Sequence, residues 1–241
     1  MAAAPCEILE WDTTFFGFCV ARVQDTLTQE SVQQIDTWCQ QSGVRCLYFL
    51  SRADDANTSR LAHDNDFRPV DIRLTFEHKN LDKKASETHA AVVRPAHSDD
   101  VPTLQSIVRD SYHDTRFYFD TNFPRQLCDS LYETWIQASC EGYADVVLVA
   151  ELDGAIAGYI SCHLNEASRS GDIGLVGVSS QARGRGIGQT LVFSALEWFC
   201  AQGMQKALVV TQGRNIAAQR LYQRCGFLTQ SVQLWHHKWY T

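Results

Sequence analysis

Between Arg183 and Gly188 the chain reads RGRGIG, three glycines and two arginines, and then passes directly into an apolar pattern at Ile187, Leu191, Ala195, Leu196 and Phe199 that recurs at helical spacing. A loop joining a strand to a helix aims successive backbone N–H groups, with the unpaired ones of the helix's first turn, at a single anion. Glycines let the backbone take positive φ and approach that anion closely, and a diphosphate fits the description. Two rival phosphate loops are absent: the chain has no G-x-x-x-x-G-K-[ST], and no G-x-G-x-x-G opens an N-terminal βαβ unit. A plain basic surface turn remains the alternative. Downstream, Asn215 and Tyr222 are seven residues apart, two turns of one helix, so they face the same way. A tyrosine, with an ordinary pKa near 10, can give up a proton without first being ionised. Tyr222 can also be read as a core aromatic, and Asn215 as a helix N-cap.

Around these residues the pattern predicts an α/β fold. Glu7 to Val23 reads as strand with a tight turn at Phe16-Gly17. Thr28 caps a helix with Val32, Ile35 and Trp38 on one face and Gly43 after its end. VRCLYFLS is a buried strand, Asn57 to His63 a short helix, and VDIRLTFEH a strand. NLDKKASETHAA, charged and aperiodic, reads as a linker. Two helices follow, one starting at Asp99 or Asp100 and one over PRQLCDSLYETWIQASC. Next comes a hairpin turning at Asp153-Gly154, then the strand GDIGLVGV, the glycine loop and its helix. Strand KALVVTQ, helix NIAAQRLYQRC and strand VQLWHHKWY close the chain.

At 241 residues and 45% hydrophobic, the chain can bury a real core. A net charge of −7 argues against nucleic acid as a partner, because phosphate neutralisation needs clustered cations. Nine cysteines, scattered singly without a C-x-x-C pair, read as reduced thiols, with no disulfide framework and no metal site. No segment approaches the ~20 apolar residues of a membrane span, and the N-terminus lacks a basic leader, so the expected location is cytoplasmic and no membrane is implied.

Shifted by 160 positions the chain matches itself without a gap: Trp38 on Trp198, Gly43 on Gly203, Arg60-Leu61 on Arg220-Leu221, Phe67 on Phe227 and Leu74 on Leu234. This predicts a duplicated βαβαβ unit. Opposite the glycine loop the first copy has ARVQDTLT, and opposite Tyr222 it has Ala62. The expected organisation is a truncated N-terminal domain over residues 1–79 without a coenzyme loop, a linker over 80–90 and a catalytic domain over 91–241.

Arg183-Gly184-Arg185-Gly186-Ile187-Gly188 resembles the acetyl-CoA motif [RQ]-x-x-G-x-[GA] of the GCN5-related N-acetyltransferase (GNAT) superfamily. The likeness runs in order of elements from about Ala91 to Tyr240 and includes N-x-x-A-x-x-x-Y before C-G-F. It implies a mixed, mostly antiparallel sheet with helices on both faces, preceded here by the truncated GNAT-like domain. It also implies that Val176 and Val178 pair with the pantetheine arm and that the amides of Arg183, Gly184, Arg185, Gly186, Ile187 and Gly188 hold the pyrophosphate. Asn215 would contact the coenzyme and Tyr222 would be the general acid. The N–H of Val176 would polarise the thioester carbonyl. No base is identified; His163, Glu166 and Asp172 read more readily as ordinary strand or surface residues.

W-D-T-x-F-F-G at Trp11 to Gly17 and H-D-T-R-F-Y-F-D at His113 to Asp120 are similar to a narrower group, two-domain transferases of the dTDP-fucosamine (dTDP-4-amino-4,6-dideoxygalactose) acetyltransferase type. That resemblance implies a nucleotide-linked amino sugar as acceptor. Arg116 would then meet the diphosphate, Tyr118 or Phe117 a ring, and Asp120 a hydroxyl or the amine. The same block can be read as an interhelical loop packed into the core. Other acceptors (an aminoglycoside, a polyamine, a protein N-terminus) and a non-catalytic acyl-CoA-binding module stay open, and a homodimer is compatible with the sequence.

Overall fold

The structure, a computed structural model, describes residues 4–81, 90–112 and 114–240. In chain order the elements are β1 (Cys6–Ile8), α1 (Glu10–Phe16), β2 (Val20–Val23), α2 (Gln29–Gln41), β3 (Cys46–Arg52), α3 (Ala56–Asp64), β4 (Arg68–Lys79), β5 (Val92–Pro95), α4 (Val101–Arg109), α5 (Arg116–Phe119), α6 (Arg125–Ala138), β6 (Val146–Leu152), β7 (Ala155–Asn165), β8 (Ser170–Val178), α7 (Ile187–Ala201), β9 (Lys206–Gln212), α8 (Ile216–Arg224) and β10 (Leu228–Trp239). The sequence linker at 80–90 falls largely outside the described residues.

Two compact units result, neither continuous in sequence. One comprises Met1–Arg73, Thr115–Leu127 and Val232–Thr241; the other comprises Leu74–Asp114 and Cys128–Ser231. Strands β4 and β10 each carry residues of both.

In the first unit β2 pairs antiparallel with β1 and parallel with β3, and the end of β10 pairs antiparallel with β3 from Gln233↔Arg52 to Trp239↔Cys46. Between β1 and β2 the expected strand and turn are replaced by helix α1. Gly17, at φ 74°, ends that helix by donating its N–H to the Thr13 carbonyl at 3.0 Å. Ala21, Val32, Ile35, Leu47, Phe49 and Phe67 form the core. A second layer of rings gathers Phe16, Tyr48, Phe117, Trp239 and His237 around Phe123, with Tyr48 also stacked on His237.

Asp12 reaches that layer through the Tyr48 hydroxyl, which donates to its Oδ1 at 3.3 Å, and Asp120 is held more closely. Asp120 Oδ2 accepts from His237 Nδ1 at 2.7 Å and from Trp239 Nε1 at 2.8 Å, while Oδ1 accepts from the backbone and side-chain nitrogens of Asn122. Burial pushes the Asp120 pKa up, but donation from His237, Trp239 and Asn122 outweighs it and holds the carboxyl below its ordinary value. Burial lowers the His237 imidazole to about 4, with Arg116 and His236 adding to the shift and Asp120 opposing it.

In the second unit β5, β6, β7 and β8 form an antiparallel run, and β9 adds parallel to β8. The β6–β7 turn is the expected one, with Asp153 at φ 55° and Gly154 at φ 79°. Helix α7 buries Ile187, Leu191, Ala195, Leu196 and Phe199, so its first turn is held still. The fold is therefore mixed α/β with mostly antiparallel pairing.

Three pairs of elements are offset by 160 residues at both ends: β3 and β9 (46–52, 206–212), α3 and α8 (56–64, 216–224), β4 and β10 (68–79, 228–239). Earlier in the repeat the ungapped match fails. β2 aligns on β3 at Val20↔Cys46, whereas β8 aligns on β9 at Ser170↔Lys206, an offset of 150 against 160. The ten residues are spread over that stretch: from those registers β8 runs five residues longer than β2, the connection to the helix has eight residues (179–186) against five (24–28), and α7 starts two residues earlier in the repeat than α2.

Because His237 is neutral in the folded protein but takes a proton near pH 6.5 when unfolded, the unfolded state binds more protons between about pH 4 and 6.5. Stability should rise with pH across that window and fall on acidification, by up to about 3 kcal/mol from this group. Thermal melts from pH 4.5 to 7.5 should show the slope, and His237→Gln should flatten it.

Candidate active site

The parallel β8–β9 ladder runs from Ser170↔Lys206 to Ile173↔Val209 and stops there, although both strands continue. The cause lies on the other edge of β8. Against β7 the register steps from Cys162↔Ile173 to Ile160↔Val176, so β8 carries one extra residue, and Ser161 Oγ takes the Leu175 N–H at 2.8 Å. Such a bulge bends its strand, and beyond it β8 leaves β9. Among the described residues, the remaining backbone groups of β8 that point away from β7 have no strand to pair with.

Val176 and Val178 stand on that free edge. The Val178 carbonyl accepts from Arg183 Nε at 3.4 Å. Both groups of Val176 are taken by one side chain that sequence reasoning missed: its N–H donates to the Tyr112 hydroxyl at 2.9 Å, and its C=O accepts from that hydroxyl at 2.8 Å. Tyr112 follows the end of α4 and stacks on Tyr132 of α6, with ring centroids 4.2 Å apart. Only its place in SYHDTR, just before the distinctive block, could have drawn attention to it.

The loop continues from β8. Gly184 at φ 77° and Gly186 at φ 82° occupy the left-handed region, which only glycine enters without strain. Gly186 is the N-cap of α7 and provides no side-chain cap, so the first-turn N–H groups of α7 stay open. The corresponding start of α2 is closed: Thr28 Oγ1 accepts from the Ser31 N–H at 3.1 Å, and Ser31 Oγ accepts from the Thr28 N–H at 2.8 Å. Arg183 reaches the Asp110 carbonyl at 3.0 Å, and exposed Arg185 pairs with Asp153 at 3.3 Å.

Asn215 caps α8, its Oδ1 accepting from the Ala218 N–H at 3.1 Å, which leaves its amide nitrogen as a donor. Tyr222 is buried between Phe76 and Phe227, and Ala62 holds the equivalent buried position in the first copy. Burial raises the Tyr222 pKa well above the ordinary phenol value, and neighbouring Tyr112 adds to the rise. The hydroxyl therefore keeps its proton throughout the neutral range. His163 and Asp172 face each other across the β7–β8 ladder and Glu166 lies in the exposed turn beyond, so none is placed as a base on the free edge of β8.

A bulged, splayed strand with an open edge, a glycine loop at a helix start and a protonated tyrosine together suit an acyl thioester carried on a diphosphate. A model of the acetyltransferase (GNAT) family matches residues 107–227. The chain belongs to that family. By that membership it is an N-acetyltransferase, and the family uses acetyl-CoA. It is similar to dTDP-fucosamine acetyltransferase of Escherichia coli O6:H1, 26% identical with 98% of each chain covered. Another relative is the spore coat polysaccharide biosynthesis protein SpsD of Bacillus subtilis, 26% identical over 60% of this chain and 50% of the other. The fold is that of a GCN5-related N-acetyltransferase from Sphaerobacter thermophilus, with a TM-score of 0.66 and 19% identity over 97% of this chain and 76% of that one.

The residues expected to meet the acceptor lie in the first unit. Arg116 lays its guanidinium over the rings of Phe117, Trp235 and Tyr48 at 4.3, 4.4 and 4.9 Å, and its buried Nε makes no hydrogen bond among the described residues. Tyr118 is covered by the Arg125 guanidinium at 4.2 Å. Asp120 departs from expectation: both of its oxygens are committed within the protein, so it braces the ring layer and is not free to bind a hydroxyl or an amine. His113 of the same block lies outside the described residues. Among the described residues no group of three His, Cys, Asp or Glu side chains could hold a metal, and no helix is long and apolar enough to cross a membrane.

If backbone shape does the holding, Gly186→Val should cost acetyl-CoA affinity roughly tenfold or more, since valine cannot hold φ 82° without strain and its Cβ would stand 3.4 Å from that of Ala90. Arg185→Ala should cost much less. Calorimetry on both variants distinguishes the cases, and a larger loss for the arginine would assign the binding to side-chain charge.

Proposed function

We propose that this chain transfers the acetyl group of acetyl-CoA to the amine of a nucleotide-linked 4-amino-4,6-dideoxy sugar, with Tyr222 as the general acid. The observation that carries the transfer is the open edge of β8 beyond the bulge, which runs into the loop ending at the uncapped first turn of α7. The amides from Arg183 to Gly188 hold the pyrophosphate, Val176 and Val178 pair with the pantetheine arm, and the Asn215 amide nitrogen donates to it. The Val176 N–H draws electron density from the thioester carbonyl. Tyr222 gives its proton to sulfur as the C–S bond breaks and the C–N bond forms, and the proton lost by the amine restores the phenol through water.

The choice of acceptor is supported by the full-length likeness to the E. coli enzyme, whose name gives a dTDP-linked amino sugar, and by Arg116. A half-buried guanidinium boxed in by three rings, with Asp12 near enough to feel its charge but no acid hydrogen-bonded to it among the described residues, is suited to a phosphate oxygen. Tyr118 offers a ring beside it.

Tyr222→Phe keeps the ring and deletes the donor. Acetyl-CoA affinity and the melting temperature should barely change, while turnover should fall by a factor on the order of 10² to 10⁴. In the wild type the acid should not titrate below about pH 10, so turnover should show no alkaline loss from this group up to that point. Near-normal turnover in a folded Phe variant would return Tyr222 to a packing role.

Arg116→Ala should raise the Michaelis constant for a nucleotide-linked amino sugar by about ten- to a hundredfold, the worth of one charge-assisted contact, with acetyl-CoA binding unchanged. Steady-state kinetics with the dTDP-sugar and with the free amino sugar test it, because only the former should respond.

A further inference from the structure

The hydroxyl of Tyr112 makes two hydrogen bonds, and both go to one residue. It accepts from the Val176 N–H at 2.9 Å and donates to the Val176 C=O at 2.8 Å. These are the two backbone groups that a neighbouring strand would have taken had β9 not parted from β8. Left alone, they would be polar groups at the edge of an apolar site, a cost of about 1–3 kcal/mol each where water is excluded. A single phenol answers one donor and one acceptor because a hydroxyl is both.

We propose that the Tyr112 hydroxyl is a stand-in for the coenzyme: it satisfies Val176 in the free protein and gives Val176 up when acetyl-CoA binds. The inference rests on the coenzyme reading of β8 given above. Two groups cannot use the same N–H and C=O, so a pantetheine or thioester oxygen reaches Val176 only if the phenol has left. The structure offers the phenol somewhere to go. Tyr159 lies beside Tyr112, its hydroxyl already close enough to that of Tyr112 to perturb it, and among the described residues this buried hydroxyl has no well-directed hydrogen-bond partner. A small rotation of the Tyr112 side chain exchanges the Val176 partners for that hydroxyl. The stack on Tyr132 fixes the plane of the ring and keeps the movement short. Tyr112 thereby sets the affinity of the strand for coenzyme as a positioning residue and takes no part in proton transfer.

The test is calorimetric titration of wild type and Tyr112→Phe with acetyl-CoA, alongside hydrogen exchange at the Val176 amide. Phenylalanine keeps the stack and removes the competitor, so acetyl-CoA should bind about three- to thirtyfold more tightly. The Val176 amide, protected in the free wild type, should exchange faster in the free variant and regain protection with acetyl-CoA. Unchanged or weaker binding in a folded Phe variant overturns the proposal. Should that variant not fold, labelled-tyrosine NMR on the wild type decides: the Tyr112 ring signals must shift when acetyl-CoA is added, and binding that leaves them still refutes the exchange. A wild type that binds no acetyl-CoA overturns the coenzyme reading as well, whereas binding without movement of Tyr112 overturns the stand-in alone.

Discussion

One extra residue in β8 is the constraint on which the second unit turns. Because β7 and β8 fall out of step between Cys162↔Ile173 and Ile160↔Val176, β8 bends, and its parallel partnership with β9 ends at Ile173↔Val209. A regular sheet would have used every N–H and C=O of Val176 and Val178 on its own strands. The bulge frees them, and Ser161 meets the cost locally by taking the Leu175 N–H. The glycine loop then begins from a strand that has already turned aside. The open strand edge follows from that irregularity, and the loop that ends at the uncapped start of α7 continues from it.

Much of this was legible in the residues because it is local. Thr28 does cap α2, Asp153-Gly154 does turn the hairpin, and the two glycines in the loop do sit at positive φ, each for a reason contained within a few residues of chain. What escaped is long-range. WDTTFFG folds as a helix where its aromatic content suggested a strand, and the rings of Phe16 and Phe18 then pack against Phe123, over a hundred residues away. Asp120 looked like a site carboxylate because HDTRFYFD clusters reactive types, and only the folded chain brings His237 and Trp239 to its oxygens. Tyr112 had no motif of its own, and its meaning comes from the backbone of Val176.

The two halves offset by 160 residues differ most at the starts of α2 and α7. In the first, the connection between β2 and α2 is three residues shorter than its counterpart, and Thr28 and Ser31 fill the helix start with their own oxygens. In the second, Gly186 leaves the corresponding place bare. The difference is chemical as much as geometric, because a self-capped helix end has already spent the dipole that an external phosphate would use. Ala62 stands in the first half where the second has Tyr222, so that position carries no phenol.

The core of the second unit starts before the linker. Phe76 and Leu81 belong to the same buried cluster as Leu191, Phe199 and Phe227, and Phe76 packs on the ring of Tyr222. A cut at the linker would therefore remove Phe76 and open a hole beside the tyrosine, so the buried wall behind Tyr222 depends on residues that precede the linker in sequence.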